Sequence, residues 1–195
     1  MTLLKRRKRV LPASAGEDGQ ILLREWRIED AGALSALVAA NVEHLRPWMA
    51  WASRPVPSVE ERELQIASFA AERARGGDAV YGIFVNGEPA GSCGLHHRLG
   101  PDALEIGYWV AAAFTRRGVA SSAARILTDA AFAIEDIAYV EIHHDRGNVA
   151  SGAVPRRLGY TLMAEVPGKI SAPAETGVEC QWRVTRRQWD ALRAR

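Results

Sequence analysis

The segment Thr115-Arg116-Arg117-Gly118-Val119-Ala120-Ser121-Ser122 sets small residues and two guanidinium groups where an apolar helical period begins. A helix start presents unpaired backbone N–H groups and the positive end of the helix dipole, a combination suited to a phosphate or diphosphate. Gly118 and Ala120 let such a ligand approach the backbone closely, and Arg116 or Arg117 can add a charge-assisted contact. The chain has no G-x-G and no G-x-x-x-x-G-K, so neither a dinucleotide fingerprint nor a Walker-type loop is supported. Taken alone, the loop reads more readily as an ordinary helix start, since any helix can begin with Arg-Arg-Gly.

The elements around it give the loop a context. Ile21 to Ile28 reads as a first strand, and Asp30 as the cap of a helix with its apolar stripe at Leu34, Leu37 and Val38. Pro47, Pro55 and Pro57 interrupt the pattern around Trp48 and Trp51. Ser58 and Glu61 form a capping box for a second helix through Leu64, Ile66, Phe69 and Ala70, ending at Gly76-Gly77. From residue 79 the period becomes alternating. Ala79–Val85 and Pro89–Leu95 flank Asn86-Gly87, the dipeptide that a two-residue hairpin turn prefers. Gly100-Pro101-Asp102 then reverses the chain into Leu104–Val110, completing an antiparallel meander.

In Leu104–Val110, Leu104, Ile106, Tyr108 and Val110 share one face, and Glu105, Gly107 and Trp109 the other. A helix follows from Gly118 to about Ile134, and then a strand over Ala138–His143. Strand, helix and strand in succession predict a right-handed crossover, with the two strands parallel. A short helix from Asn148 to Leu158, a strand from Tyr160 to Val166 and a last strand near Val178–Val184 complete the chain. The class is α/β, with a mixed sheet.

Composition narrows the function classes. The 195 residues suffice for one domain, and 48% hydrophobic with 25% charged residues is ordinary globular usage. Lys5, Arg6, Arg7, Lys8 and Arg9 account for more than the net charge of +2, so an argument for nucleic acid rests on that stretch and not on the body. Residues 1–19 read as a basic, flexible arm and residues 20–195 as the domain. Cys93 and Cys180 are too few for a disulfide framework, and the histidine pairs His96–His97 and His143–His144 lack metal-ligand spacing. No apolar run reaches membrane-spanning length, and no secretory leader follows the basic start. The expectation is a cytoplasmic protein with no metal and no membrane partner.

Several ordered pieces bear a joint resemblance to one family. They are His44-Leu45-Arg46-Pro47-Trp48-Met49-Ala50-Trp51, Ala90-Gly91-Ser92-Cys93-Gly94-Leu95, Glu105-Ile106-Gly107-Tyr108-Trp109-Val110 and Arg116-Arg117-Gly118-Val119-Ala120. Asn148-Val149-Ala150-Ser151, with Leu158-Gly159-Tyr160 behind it, closes the series. Over residues 20–184 the chain resembles the GNAT superfamily of N-acetyltransferases, in the branch related to the ribosomal-protein N-terminal acetyltransferases. The resemblance implies a predominantly antiparallel, V-shaped sheet with a parallel βαβ crossover and flanking helices. It also implies acetyl-CoA as acetyl donor, its pantetheine arm lying between the splayed strands beside Trp109 and Val110. Its diphosphate would lie on Arg116, Arg117, Gly118, Val119, Ala120, Ser121 and Ser122. The chain departs from the family pattern at Thr115, where Gln or Arg is usual, which weakens the case for individual side-chain contacts but not for backbone donors.

In the family the amine attacks the thioester directly. Ser151 matches the serine of the family's N-x-x-S segment and is assigned to the departing sulfur; the alternative is a serine in the first turn of a helix capped by Asn148. Asn148 either contacts pantetheine or only caps. Glu105 is a candidate to draw a proton from the amine through water, against a solvated carboxylate, and His143 is a weaker candidate at the acceptor. Trp48 and Trp51 either wall an acceptor pocket or pack. An α-amine is roughly 10–20% neutral at pH 7 whereas a lysine is about 0.04% neutral, so a site without a strong base favours a protein or peptide N-terminus. A small-molecule amine, such as an amino-acid derivative or antibiotic, is the alternative acceptor; a non-catalytic acyl-CoA-binding or RNA-associated protein is the alternative of another class. A homodimer is the family expectation.

Overall fold

A computed structural model describes residues 10–194. Eight strands form one sheet in the order β1-β2-β3-β4-β5-β6-β8-β7. They are β1 (Ser14–Asp18), β2 (Ile21–Glu25), β3 (Ala79–Val85), β4 (Glu88–His96), β5 (Ala103–Val110), β6 (Tyr139–Asp145), β7 (Thr161–Pro167) and β8 (Val178–Thr185). Every neighbouring pair is antiparallel except β5 and β6, which are parallel as the crossover requires. The helices are α1 (Ala31–Ala39), α2 (Val42–Leu45), α3 (Val59–Ala74), α4 (Val119–Phe132), α5 (Val149–Arg157) and α6 (Arg186–Arg193).

Two apolar clusters lie against the sheet. The larger joins Leu104, Ile106 and Val110 of β5 to Val119, Ala123, Ile126 and Leu127 of α4. The smaller gathers Trp26, Leu34, Val38, Ile66 and Phe84 beneath α1 and α3, with Trp109 packed against it. Alternating side chains of β5 therefore serve both clusters, as the period of two requires. The hairpin turn is as expected, with positive φ at Asn86 (51°) and Gly87 (84°). Ser58 and Glu61 form the reciprocal capping box of α3.

Four expectations need correction. Residues 10–18 are not a flexible arm: Ser14–Asp18 pairs with β2 and Leu11 is fully buried. The basic run at residues 5–9 lies outside the described residues. The first strand ends at Glu25, because Ile28–Asp30 tightens into a 3₁₀ turn. Asp30 does not cap α1 with its side chain; its carboxylate accepts from the Arg27 N–H at 2.8 Å and pairs with Arg24 at 2.6 Å. Finally, Leu64 is 73% exposed, while Arg62 at 6% and Ile66 at 2% occupy the buried face of α3. Residues four apart share a helix face, and those two apart do not.

Candidate active site

β5 and β6 are paired only over Ala103–Tyr139, Leu104–Val140 and Glu105–Glu141. Beyond that point β6 follows β8, pairing through Asp145–Glu179, while β5 stays with β4 through Val110–Gly91. The strands diverge into the V expected from the family resemblance. Backbone groups on an interior strand are rarely left without partners, so a one-sided β5 segment within a sheet calls for a ligand or water.

The N-terminus of α5 faces this divergence. Asn148 caps α5, its side-chain oxygen accepting from the Ser151 N–H at 3.1 Å. Across the gap, the Tyr108 hydroxyl donates to the Ser151 carbonyl at 3.1 Å and lies 3.3 Å from the Ser151 Oγ. Burial pushes the Tyr108 phenol up to about 12, against a smaller lowering by Ser151, so it keeps its proton at neutral pH. His144 donates from Nδ1 to the Asp145 carbonyl at 2.7 Å, and its Nε2 accepts from the Trp182 indole at 3.0 Å. A Cβ on Gly152 would stand 2.8 Å from that Nε2, so glycine is what lets α5 close on β6.

A cavity of about 820 Å³ opens from this point. Ser151, Asn148, Trp109, Trp48, Trp51, Glu105 and His143 all line it, as do Tyr108, His96 and His144. Trp51 packs against Trp109 with ring centroids 5.9 Å apart, and is itself 38% exposed. Glu105 is taken by Arg98 at 2.9 Å. His143 has Nε2 at 2.6 Å from Glu141 and Nδ1 at 3.4 Å from Glu179, so both ring nitrogens face carboxylates. That leaves no free nitrogen aimed at an amine.

The Asp145 carboxylate organises the turn before α5. It accepts from the Gly147 N–H at 2.7 Å, the Thr176 N–H and hydroxyl at 2.9 Å each, and the Gly177 N–H at 3.0 Å. Burial alone would raise this carboxyl; the hydrogen bonds from Thr176, Gly147 and Gly177 outweigh it and hold the group at about 2.

The glycine loop does not line the cavity but follows the far end of β5. Arg116 adopts positive φ (60°), as does Gly118 (81°), a backbone arrangement that turns amides outward. Gly118 is the N-cap of α4 and supplies no side-chain cap, and a Cβ placed on it would meet nothing within 4 Å. The first-turn N–H groups through Ala120 and Ser121 are therefore without a side-chain acceptor. Val119 is buried in the core. The Ser122 hydroxyl turns to Asp18, whose carboxyl is held low first by Arg125 and then by Ser122. Arg117 is exposed, its guanidinium 5.6 Å over the Phe114 ring. Val110 ends β5, and its carbonyl accepts from His44 at 3.2 Å. Asn41 accepts from the Ala112 N–H at 2.8 Å, so the first two helices fix the approach to the loop.

Sequence reasoning missed Tyr108, whose one signal was a phenol on an apolar face, since a buried hydroxyl needs a partner. Asn41 gave no signal, and His44 and His144 were noted only within a resembling segment and a histidine pair, because the roles of all three depend on long-range register. Among the described residues no His, Cys, Asp and Glu group is arranged to hold a metal, and no helix is long and apolar enough to cross a membrane.

Comparison with known proteins agrees with the geometry. The model of the acetyltransferase (GNAT) domain matches residues 20–161. A Bacillus subtilis (strain 168) protein named "Putative ribosomal N-acetyltransferase YdaF" is 31% identical over 142 residues, which are 72% of this chain and 77% of that protein. RimL, a ribosomal L7/L12 α-N-protein acetyltransferase solved with coenzyme A, is 25% identical with a TM-score of 0.79, covering 88% of this chain and 97% of its own. The microcin C7 self-immunity acetyltransferase MccE, solved with acetyl-CoA and AMP, shares the fold at a TM-score of 0.79 and 18% identity, covering 90% of this chain and 98% of its own. With its diverging parallel strands and uncapped α4 start, the chain belongs to the GNAT acetyltransferase family and is an acetyl-CoA-dependent N-acetyltransferase.

Proposed function

We propose that the chain transfers the acetyl group of acetyl-CoA to the N-terminal α-amine of a protein or peptide. The observation that carries this reading is the Tyr108–Ser151 contact, 3.3 Å between hydroxyls, where the β5–β6 gap meets an open cavity. The gap accepts the pantetheine arm beside Trp109 and Val110, with Asn148 on the opposite side. The amides of Gly118 to Ser121 take the diphosphate, since the Ser122 N–H already donates to the Gly118 carbonyl, and Arg116 and Arg117 stand close enough in sequence to add charge.

With the thioester in the gap and the amine in the cavity, the amine nitrogen attacks the acetyl carbonyl carbon. The C–S bond then breaks and the sulfur leaves with the electron pair. The Ser151 hydroxyl, beside Tyr108, donates a hydrogen bond to that sulfur as its charge develops, and the thiolate takes its proton from water, which the amine's own proton replaces. The amine's own proton passes through water toward Glu105, whose Oε1 is fixed by Arg98. No strong base is required, because an α-amine is about 10–20% neutral at pH 7. His143, held between two carboxylates, shapes the wall. Trp48 and Trp51 form the aromatic side of the acceptor pocket. YdaF and RimL carry names that point to ribosomal proteins, which makes such an N-terminus the first acceptor to try.

The test is thiol release from acetyl-CoA over a panel of peptides with different N-termini and of small amines, with mass spectrometry to locate the acetyl group. Turnover confined to peptide α-amines is expected. Turnover confined to small amines would replace this acceptor with the small-molecule one.

A further inference from the structure

Arg62 differs from the half-buried cations Arg24 and Arg73. Arg24 pairs with Asp30 and Arg73 with Glu25, each joining β2 to its surroundings. Arg62 is more deeply buried, at 6% exposure, yet no carboxylate of the described residues pairs with it. Its hydrogen bonds go to neutral oxygens, the Ser35 Oγ at 3.4 Å and the Gln65 Oε1. Burial pushes the guanidinium below its ordinary value, with no acidic neighbour to offset it.

A buried charge without a counter-charge is costly, and cores seldom keep one. Arg62 lines the same cavity as Tyr108 and Ser151, in company with Leu34, Val38, Val56 and Phe69. Nε and Nη1 have acceptors, while Nη2 has none among the described residues. No fully buried side-chain nitrogen or oxygen of the described residues lacks a partner, so Nη2 keeps some solvent access, and Arg62 is part of the cavity lining. Of the other cations on the cavity wall, Arg98 is paired with Glu105, and Arg54 and Lys169 are solvent-exposed.

We propose that Arg62 is the specificity-determining residue of the acceptor site, and that its missing counter-charge is a carboxylate carried by the acceptor itself. For a peptide acceptor, this is an acidic side chain close behind the reacting α-amine. An apolar surround with one convergent cation suits such a group, because the guanidinium offers paired donors to a carboxylate in a dry setting. The inference rests on the reading of the cavity as the acceptor site.

The experiment places Glu, then Gln, at each of positions 2 to 4 of neutral, C-terminally amidated peptides and measures KM and kcat. The wild-type enzyme is expected to show a KM about tenfold lower for Glu than for Gln in at least one register, and Arg62→Met to abolish that difference. Arg62→Lys should keep part of it, and the Kd for acetyl-CoA should not move in either variant. Equal KM values for Glu and Gln in every register, or a preference that persists in Arg62→Met, would overturn the assignment. So would a loss of acetyl-CoA affinity, since Arg62 would then serve the donor. Should wild type acetylate only small amines, the peptide acceptor is wrong but Arg62 is still tested. The comparison then runs between an amino acid and its amide, with the same two outcomes.

Discussion

The two halves of β5 lie one residue apart and behave differently. Ala103–Glu105 pairs with β6, and at Glu105 with His96 of β4 as well. Ile106–Val110 keeps β4 but has lost β6. The side chains do not cause the difference, since Leu104, Ile106 and Val110 share one packed face against α4. The change is in the partner: β6 turns away with β8, and the start of α5 enters the space, tied to β5 through Tyr108 and Ser151. One half of the strand is tied to β6, and the other leaves backbone facing the divergence that is proposed to take acetyl-CoA.

Substitutions at five positions sharpen the contrast, beginning with the greatest effect. Gly118→Asp puts a negative charge in the open space where the diphosphate is expected, and acetyl-CoA affinity by calorimetry should fall more than about a hundredfold. Gly118→Asn, of similar shape and tolerance for positive φ, should lose far less. Retained binding in the Asp variant would place the diphosphate elsewhere. Leu104→Ala, in the paired half, should cost about 2–5 kcal/mol of stability by denaturant titration. Its effect on acetyl-CoA affinity should be small once the protein is folded; a selective loss of affinity would erase the contrast.

Ser151→Ala should lower kcat about tenfold to a hundredfold with little change in Kd for acetyl-CoA, and Tyr108→Phe should act in the same direction. If the two act through one hydrogen-bonded unit, the double variant will be little worse than the worse single one. Additive losses would separate the two hydroxyls. The smallest effect is on acid stability. Asp145 has a folded value of about 2 against an ordinary 3.8, so its stabilisation is complete above about pH 4 and disappears as pH falls toward 2. Asp145→Asn should flatten the acid limb of the stability curve over that interval. An unchanged acid limb would remove Asp145 as the anchor of the turn before α5.

Local signals made much of the fold legible in the sequence. Asn86-Gly87 marked its hairpin, Ser58 with Glu61 marked the start of α3, and the switch of period marked the meander and the crossover. The glycine loop was legible because backbone donors need only small residues at a helix start. What could not be read depends on partners distant in sequence. Alternation along β5 says which face is buried but not where β6 departs. Residues Ser14–Asp18 lack alternation and become a strand by pairing with β2. Nothing in the sequence singled out Arg62, and Leu64 belonged to the expected apolar stripe; the face of α3 that meets the sheet buries Arg62 and leaves Leu64 exposed.

Backbone hydrogen exchange with and without acetyl-CoA tests the central claim most directly. Amides of Ile106, Tyr108 and Val110, which alternate away from β4, and of residues 118–121 should gain protection when acetyl-CoA is added. Those of residues 103–105, and of Ala111 and Ser122, already bonded to the Ala90 and Gly118 carbonyls, should change little. Protection that spares both segments, or that falls on the paired half of β5 instead, would contradict the assignment of the divergence as the acetyl-CoA slot.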